Sequence, residues 1–345
     1  MTFVVDAERA EQVLDAILDR YKRGAYPYNV RSSMLDEFEL PKRLKRGGEA
    51  EARFWFFACM LMRGGIDSDT GLKILVRLYD QTMVKGGPKP FNPSSARKMN
   101  PVELTKLLEL NGKAEQENKP HRFAIDWIDC AQLICDRYDG KVLNIVERIN
   151  NYEDVVSIVL NLQGGGFPGF QYKMVSMICF FWIEAGLLEP FPYPPPVDFH
   201  LIRVAVATRI VYRTKDQKIL VVRSGELIRL QAALRMMYLD YIIASGVSTN
   251  DLADALWLHS RMMCRFNPGN KTTKGEYAAR QTKITPHVVD LAHSSDQRKF
   301  EKSCKRCPVR QKCLLNVPSA YYYTLGRIET SERVDNTPVL NFELD

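Results

Sequence analysis

The sequence predicts a mostly α-helical fold arranged in two lobes. Helical periodicity dominates, with apolar residues returning every three or four positions along most of the chain. Of 345 residues 46% are hydrophobic, enough to bury a substantial core. Glycine and proline concentrate between the periodic runs, and no internal repeat or low-complexity block appears.

Taken in order, Asp6 is placed to cap a first helix whose apolar stripe is Val13, Leu14, Ile17, Leu18 and Tyr21, with Gly24 past its end. Residues 25–48 read as irregular chain holding Pro27, Pro41 and the basic run Lys42, Arg43, Lys45 and Arg46. The stretch 54–62, Phe-Trp-Phe-Phe-Ala-Cys-Met-Leu-Met, is apolar on every side and predicts a buried helix. After Arg63, Gly64 and Gly65 a second helix follows through Leu72, Leu75, Val76 and Tyr79. Residues 85–99, rich in proline and lysine, read as a loop, and Asn100-Pro101-x-Glu103 as a helix start, because proline fits the first turn, where a backbone N–H has no partner. Further helices are predicted over 123–138, 142–149 and 152–162, then over 174–183 and 256–264.

A net charge of +7 and a pI near 8.9 favour a polyanionic partner. The distribution says more: residues 265–283 carry five basic side chains against Glu276 alone, and 298–312 carry seven against Glu301. Such a surface is what contact with a phosphate backbone requires, although a merely solvated charged face is the alternative. The first 23 residues alternate charged with apolar side chains, unlike a signal peptide, and no stretch approaches the length of a membrane span, so a reducing, cytoplasmic setting is expected. Cys59, Cys130, Cys135 and Cys179 then read as small packing residues. Cys304, Cys307 and Cys313 fall as C-x2-C-x5-C, and Cys264 closes the run Leu-His-Ser-Arg-Met-Met-Cys. Four soft thiolates suit an iron–sulfur cluster or a zinc ion; one C-x2-C pair instead of two favours the cluster, and unligated thiols remain the third reading.

Between two helical runs lies Gln-Gly-Gly-Gly-Phe-Pro-Gly-Phe-Gln-Tyr-Lys, residues 163–173, whose glycines let backbone amides point outward toward a phosphate. The segment Phe167-Pro168-Gly169-Phe170-Gln171-Tyr172-Lys173 resembles the Leu-Pro-Gly-x-Gly-x-Lys hairpin of the helix-hairpin-helix (HhH-GPD) DNA glycosylases related to endonuclease III, with Gln171 in place of the second glycine. Pro196-Val197-Asp198-Phe199-His200 resembles that family's Val-Asp-x-His element, and the cysteine run resembles its cluster loop, here with a long insertion, 265–303, after Cys264. The paired helices on either side of residues 63–67 resemble its first core helices.

The resemblance implies a six-helix barrel domain over 31–192 containing the hairpin 163–173, and an iron–sulfur cluster domain made of 1–30 plus 193–345, holding a [4Fe-4S] cluster on Cys264, Cys304, Cys307 and Cys313. It implies Lys173 as the catalytic amine and Asp198 as the catalytic carboxylate. Gly169, Gln171, His200, Lys305, Arg306 and Arg310 then face DNA, with Arg63, or Ile66, filling the gap left by an extruded base. The chemistry suits these residue types. Breaking an N-glycosidic bond builds positive charge on the sugar, which a carboxylate stabilises. An unprotonated amine can displace the base and leave an imine. The expectation is a monomeric glycosylase with associated lyase activity on duplex DNA that carries a modified base, with no membrane partner. Two competitors stay open: a nucleic-acid-binding protein on this scaffold without turnover, and an enzyme acting on RNA or a nucleoside.

Overall fold

The computed structural model describes residues 3–30, 33, 40–62, 68–82, 88–110, 119–161, 165–212, 224–263, 288–290, 302–313, 321–323, 328–331 and 337–340. In chain order they form β1 (Val4–Val5), α1 (Ala7–Lys22), α2 (Glu49–Leu61), α3 (Ser68–Thr82), α4 (Pro93–Ala96), α5 (Pro101–Leu107), α6 (Arg122–Arg137), α7 (Leu143–Val146), α8 (Tyr152–Val159), α9 (Tyr172–Glu184), α10 (Phe199–Ala207), β2 (Val211–Tyr212), α11 (Ser224–Ser245), α12 (Thr249–Leu258), β3 (Val288–Asp290), β4 (Tyr321–Tyr323), β5 (Ile328–Ser331) and β6 (Thr337–Leu340). The fold is mostly helical. Its strands pair only two at a time, β1 with β2, β3 with β4 and β5 with β6, each antiparallel. The chain divides into two compact units, Met1–Met34 with Val197–Val247 and Asp251–Asp345, and Leu35–Pro196 with Ser248–Asn250.

The second of these units is built around α2. Its residues are apolar on every side because helices and loops cover every side: Phe54, Trp55, Phe56 and Phe57 are all buried. Trp55 stacks on Phe181 of α9 with centroids 4.2 Å apart, and Phe57 stacks on Trp127 of α6 at 4.4 Å. Such pairs add about 0.5–1.5 kcal/mol each beyond the area they bury. The indole N–H groups keep partners, Trp127 donating to the Pro90 carbonyl at 2.8 Å and Trp182 to that of Ala52 at 3.3 Å. The first turn of α2 is tied down by its acids. Glu51 is buried, pairs with the Arg46 guanidinium at 2.9 Å and accepts the Gly47 N–H at 2.7 Å. Glu49 accepts the backbone N–H groups of Val142 and Leu143 at 3.0 and 2.8 Å, satisfying two donors at the start of α7.

Some sequence expectations shift here. The stretch read as a loop at 85–99 contains α4, started by Asn92, whose side chain accepts the Ser95 N–H at 3.2 Å, with Pro93 in the first turn. The helices expected over 142–149 and 152–162 are shorter, because Asn151 caps α8 and Leu160 turns to extended backbone. Residues 248–250 join this unit through polar bonds. Tyr193 donates its N–H to Thr249 Oγ1 at 3.2 Å and its hydroxyl to Asn250 Oδ1 at 2.5 Å, while Asn250 donates to the Phe180 carbonyl and to Glu184.

In the other unit α1 begins where Asp6 accepts the Arg9 N–H at 2.9 Å, and its stripe of Val13, Leu14 and Ile17 packs with Leu201, Ile202, Leu234, Tyr238 and Leu256. The longest described helix, α11, was not foreseen from the sequence; it packs against α1 in this core. Arg9 is a strap: its Nε donates to the Thr208 carbonyl at 3.0 Å and its Nη2 to the Lys312 carbonyl at 2.8 Å, holding segment 302–313 on α1 and the end of α10.

Replacing Glu49 by Ala is expected to lower the unfolding free energy by about 1–2 kcal/mol, the cost of stranding two helix-terminal donors, and Glu49→Gln by less, since the amide oxygen still accepts. Urea denaturation of both variants checks this.

Candidate functional site

The hairpin before α9 is fixed by four kinds of contact. Phe167 and Phe170 are buried, with ring centroids 5.0 and 4.9 Å from Phe56 of α2. Backbone bonds run from Phe167 N–H to the Val159 carbonyl at 3.1 Å and from Asn161 N–H to the Phe170 carbonyl at 2.9 Å. From α6, the Cys130 thiol donates to the Pro168 carbonyl at 3.4 Å and Arg137 to the Gly165 carbonyl at 3.1 Å. Glycine is required twice: a Cβ on Gly166 would lie 2.3 Å from the Leu160 oxygen, and Gly169 has φ of +82°. Gln171, which stands where the family hairpin has glycine, adopts φ −105° and ψ 174°, extended backbone open to any residue. It is exposed at the N-cap of α9 and its side chain makes no capping bond.

Lys173 is the second residue of α9 and half-buried. Burial, together with the neighbouring Cys179 thiol, pushes the Cys59 thiol well up, and the positive charge of Lys173 works against that rise. The amine's stem therefore runs beside the α2–α9 contact. Phe54, Trp55 and Phe170 are core residues, not pocket walls.

Asp198 caps α10, its Oδ1 accepting the N–H groups of His200 at 2.8 Å and Leu201 at 3.3 Å. The proline before it and the helix after it produce this local arrangement. Its charge and burial both raise the pKa of Tyr238, burial the more, and Tyr238 donates to the Leu201 carbonyl at 3.3 Å. His200 fastens α10 to the π-helical turn His259–Met263: its Nδ1 is 3.1 Å from Ser260 Oγ, and its ring meets Trp257 edge-on at 5.9 Å. Arg261 covers Trp257 at 4.7 Å.

Segment 302–313 carries Lys305 and Arg306, both exposed, and Arg310 and Lys312, half-buried. Arg306 lies 5.3 Å from the Tyr26 ring centroid, and Val309 is buried in the core against which Cys307 and Cys313 pack. None of the described cysteines forms a disulfide. Cys307 Sγ lies 3.7 Å from Nε2 of His259, a fully buried ring whose pKa burial lowers to about 4, so that it stays neutral. Among the described residues no three His, Cys, Asp or Glu side chains are grouped to hold a metal. Cys264, Arg63 and Ile66 lie outside the described residues, as does nearly all of the insertion 265–303.

Sequence reasoning missed Cys130, Arg137, Tyr238 and His259. His259 was within reach, since it stands in the run that leads to Cys264. The others act from helices remote in sequence, and only the three-dimensional packing brings them to the hairpin or to α10.

No protein-family model matches the chain, and no curated protein matches it. Among solved structures the chain is similar to a trapped covalent intermediate of endonuclease III with DNA, an estranged-adenine complex, at 12% identity and a TM-score of 0.42 over 80% of this chain and 93% of that one. It is also similar to a thermostable thymine-DNA glycosylase, at 14% identity and a TM-score of 0.43 over 89% of this chain and all of that one. Neither likeness transfers a residue role.

Gly166→Ala and Gly169→Ala are each expected to cost about 1–3 kcal/mol of stability, from overlap and from left-handed backbone respectively. Gln171→Ala should stay within about 0.5 kcal/mol. Thermal denaturation of the three variants separates strain from a general intolerance of the hairpin.

Proposed function

We propose that the protein is a DNA glycosylase that removes a modified or damaged base from duplex DNA and, through a lysine imine, also cleaves the abasic strand. The observation that carries this reading is the hairpin. Two glycines and a pair of buried phenylalanines specify one backbone path, and that path delivers an accessible amine to the first turn of α9. A rigidly delivered amine is what attack on a sugar carbon needs, because positioning supplies much of the barrier reduction.

In the proposed reaction the lone pair of Lys173 Nζ forms a bond to the anomeric carbon of the deoxyribose. The bond to the base breaks, its electrons leave with the base, and the base takes up a proton. Asp198 stabilises the positive charge that develops on the sugar; its cap bonds to His200 and Leu201 hold the carboxylate in one orientation. Ring opening and loss of a proton from nitrogen's substituted carbon system give the imine, which acidifies the neighbouring sugar carbon. Removal of a proton there expels the 3′ phosphate by β-elimination, and water hydrolyses the imine to release Lys173.

Lys305, Arg306 and Arg310 contact the phosphate backbone, as do the outward amides near Gly169 and Gln171. His200 holds α10 in place. Base removal requires no electron transfer, so no step passes through a metal centre.

On duplexes carrying a panel of modified bases, the wild-type chain is expected to release one class of base. Asp198→Asn should reduce that release by about 10²–10³-fold with DNA affinity within a few-fold. Lys173→Gln should abolish strand cleavage. Binding without release from any duplex, or release unchanged in Asp198→Asn, contradicts the proposal.

A further inference from the structure

The spacing of the C-terminal cysteines suggests a cage of four sulfurs, but the described geometry around Cys307 does not fit one, because a histidine stands against the sulfur. We propose that His259 is a metal ligand through Nε2, paired with Cys307, and that this end of the chain holds a single zinc-type ion on mixed imidazole and thiolate donors.

The separation is the first support. Two donors on one tetrahedral ion, with metal–sulfur near 2.3 Å and metal–nitrogen near 2.0–2.1 Å, lie about 3.6 Å apart. His259 Nε2 and Cys307 Sγ are 3.7 Å apart. The state of the ring is the second. His259 is 1% exposed, and its Nδ1 has no hydrogen-bond partner among the described residues, so the approach to Cys307 is the imidazole's one polar engagement there. A fully buried ring left in that condition is costly unless Nε2 is used. Backbone geometry is the third: helix α12 gives way to a π turn at His259, a local widening often found at functional positions.

Cys304 and Cys313 flank Cys307 on the same half-buried segment, whose turns run from Cys307 N–H to the Cys304 carbonyl and from Cys313 N–H to that of Arg310. Among the described residues no third donor joins the pair. Cys304 and Cys313 are the thiolates that loading recruits, completing a set of three sulfurs and one nitrogen. Such a set suits zinc better than a cluster of iron and sulfide. The centre fixes the segment that presents Lys305 and Arg306, independently of whether the proposed base removal occurs.

The test is metal analysis of the full-length chain, produced with both zinc and iron in the medium, with cobalt(II) substitution read by visible absorption. The wild type is expected to hold one zinc per chain, and its cobalt form to show the ligand-field bands of a tetrahedral thiolate site. Cys264→Ser should retain both properties. His259→Ala should weaken zinc binding at least tenfold in a chelator competition. His259→Cys should restore binding with a shifted cobalt spectrum, which separates lost ligation from lost folding. Iron with sulfide in the wild type, loss of metal in Cys264→Ser with retention in His259→Ala, or no bound metal at all, each overturns the proposal.

Discussion

The packing of Phe167 and Phe170 onto Phe56 is the constraint from which the candidate chemistry follows. A glycine-rich turn on its own samples many conformations, and an amine at its end would be as mobile as the turn. Burying one ring on each side of Pro168 and Gly169 removes that freedom, because both must reach the same residue of α2. Once they do, the chain between them has little slack. Gly169 is driven into left-handed backbone, Gly166 is pressed onto Leu160, and α9 starts at a fixed point with Lys173 in its first turn. The aromatic stacks of Trp55 on Phe181 and Phe57 on Trp127 hold α2 itself against α9 and α6, so the reference point does not move.

The unit that contains Asp198 reaches local order differently. Aliphatic packing around α1, α10, α11 and α12 supplies the core, and a few directional bonds orient the polar groups on it. Asp198 spends one carboxylate oxygen on two backbone amides, a use that restricts its rotation without neutralising it. His200 and Ser260 join α10 to the π turn, and Arg9 straps the basic segment at 302–313 to α1. Long cationic side chains on a docked segment lose less entropy on meeting phosphate than the same side chains on a loose one.

Much of this was legible in the sequence where the signal was local. The cap at Asp6, the start at Asn100-Pro101 and the all-apolar run of α2 each encode their structure within a few residues, and the helices stand there. The turn at 163–173 was visible for the same reason, since glycine and proline state their backbone preferences openly. Where the outcome depended on distant partners the sequence was mute. Residues 93–96 look like loop because only Asn92 and Pro93 start that short helix, and packing against α6 sustains it. Helix α11 lacks a clean apolar face: Ile228, Met236 and Ile243 are exposed beside buried Leu230, Leu234 and Ile242, so periodicity did not announce it. Aromatic residues that invite a pocket reading, Phe54, Trp55 and Phe170, are core because each has a ring from another element against it. His259 escaped notice because its meaning lies in Cys307, far along the chain.

The central claim is that the hairpin exists to deliver the amine of Lys173 to a deoxyribose carbon. Reduction with borohydride during turnover, followed by peptide mapping of the protein–DNA adduct, addresses that claim most directly. The account predicts a covalent adduct, formed only with a duplex whose base is released, in which the sugar is attached at Lys173. An adduct mapped to another residue, or base release and strand cleavage by the wild type with no trappable adduct, would contradict it.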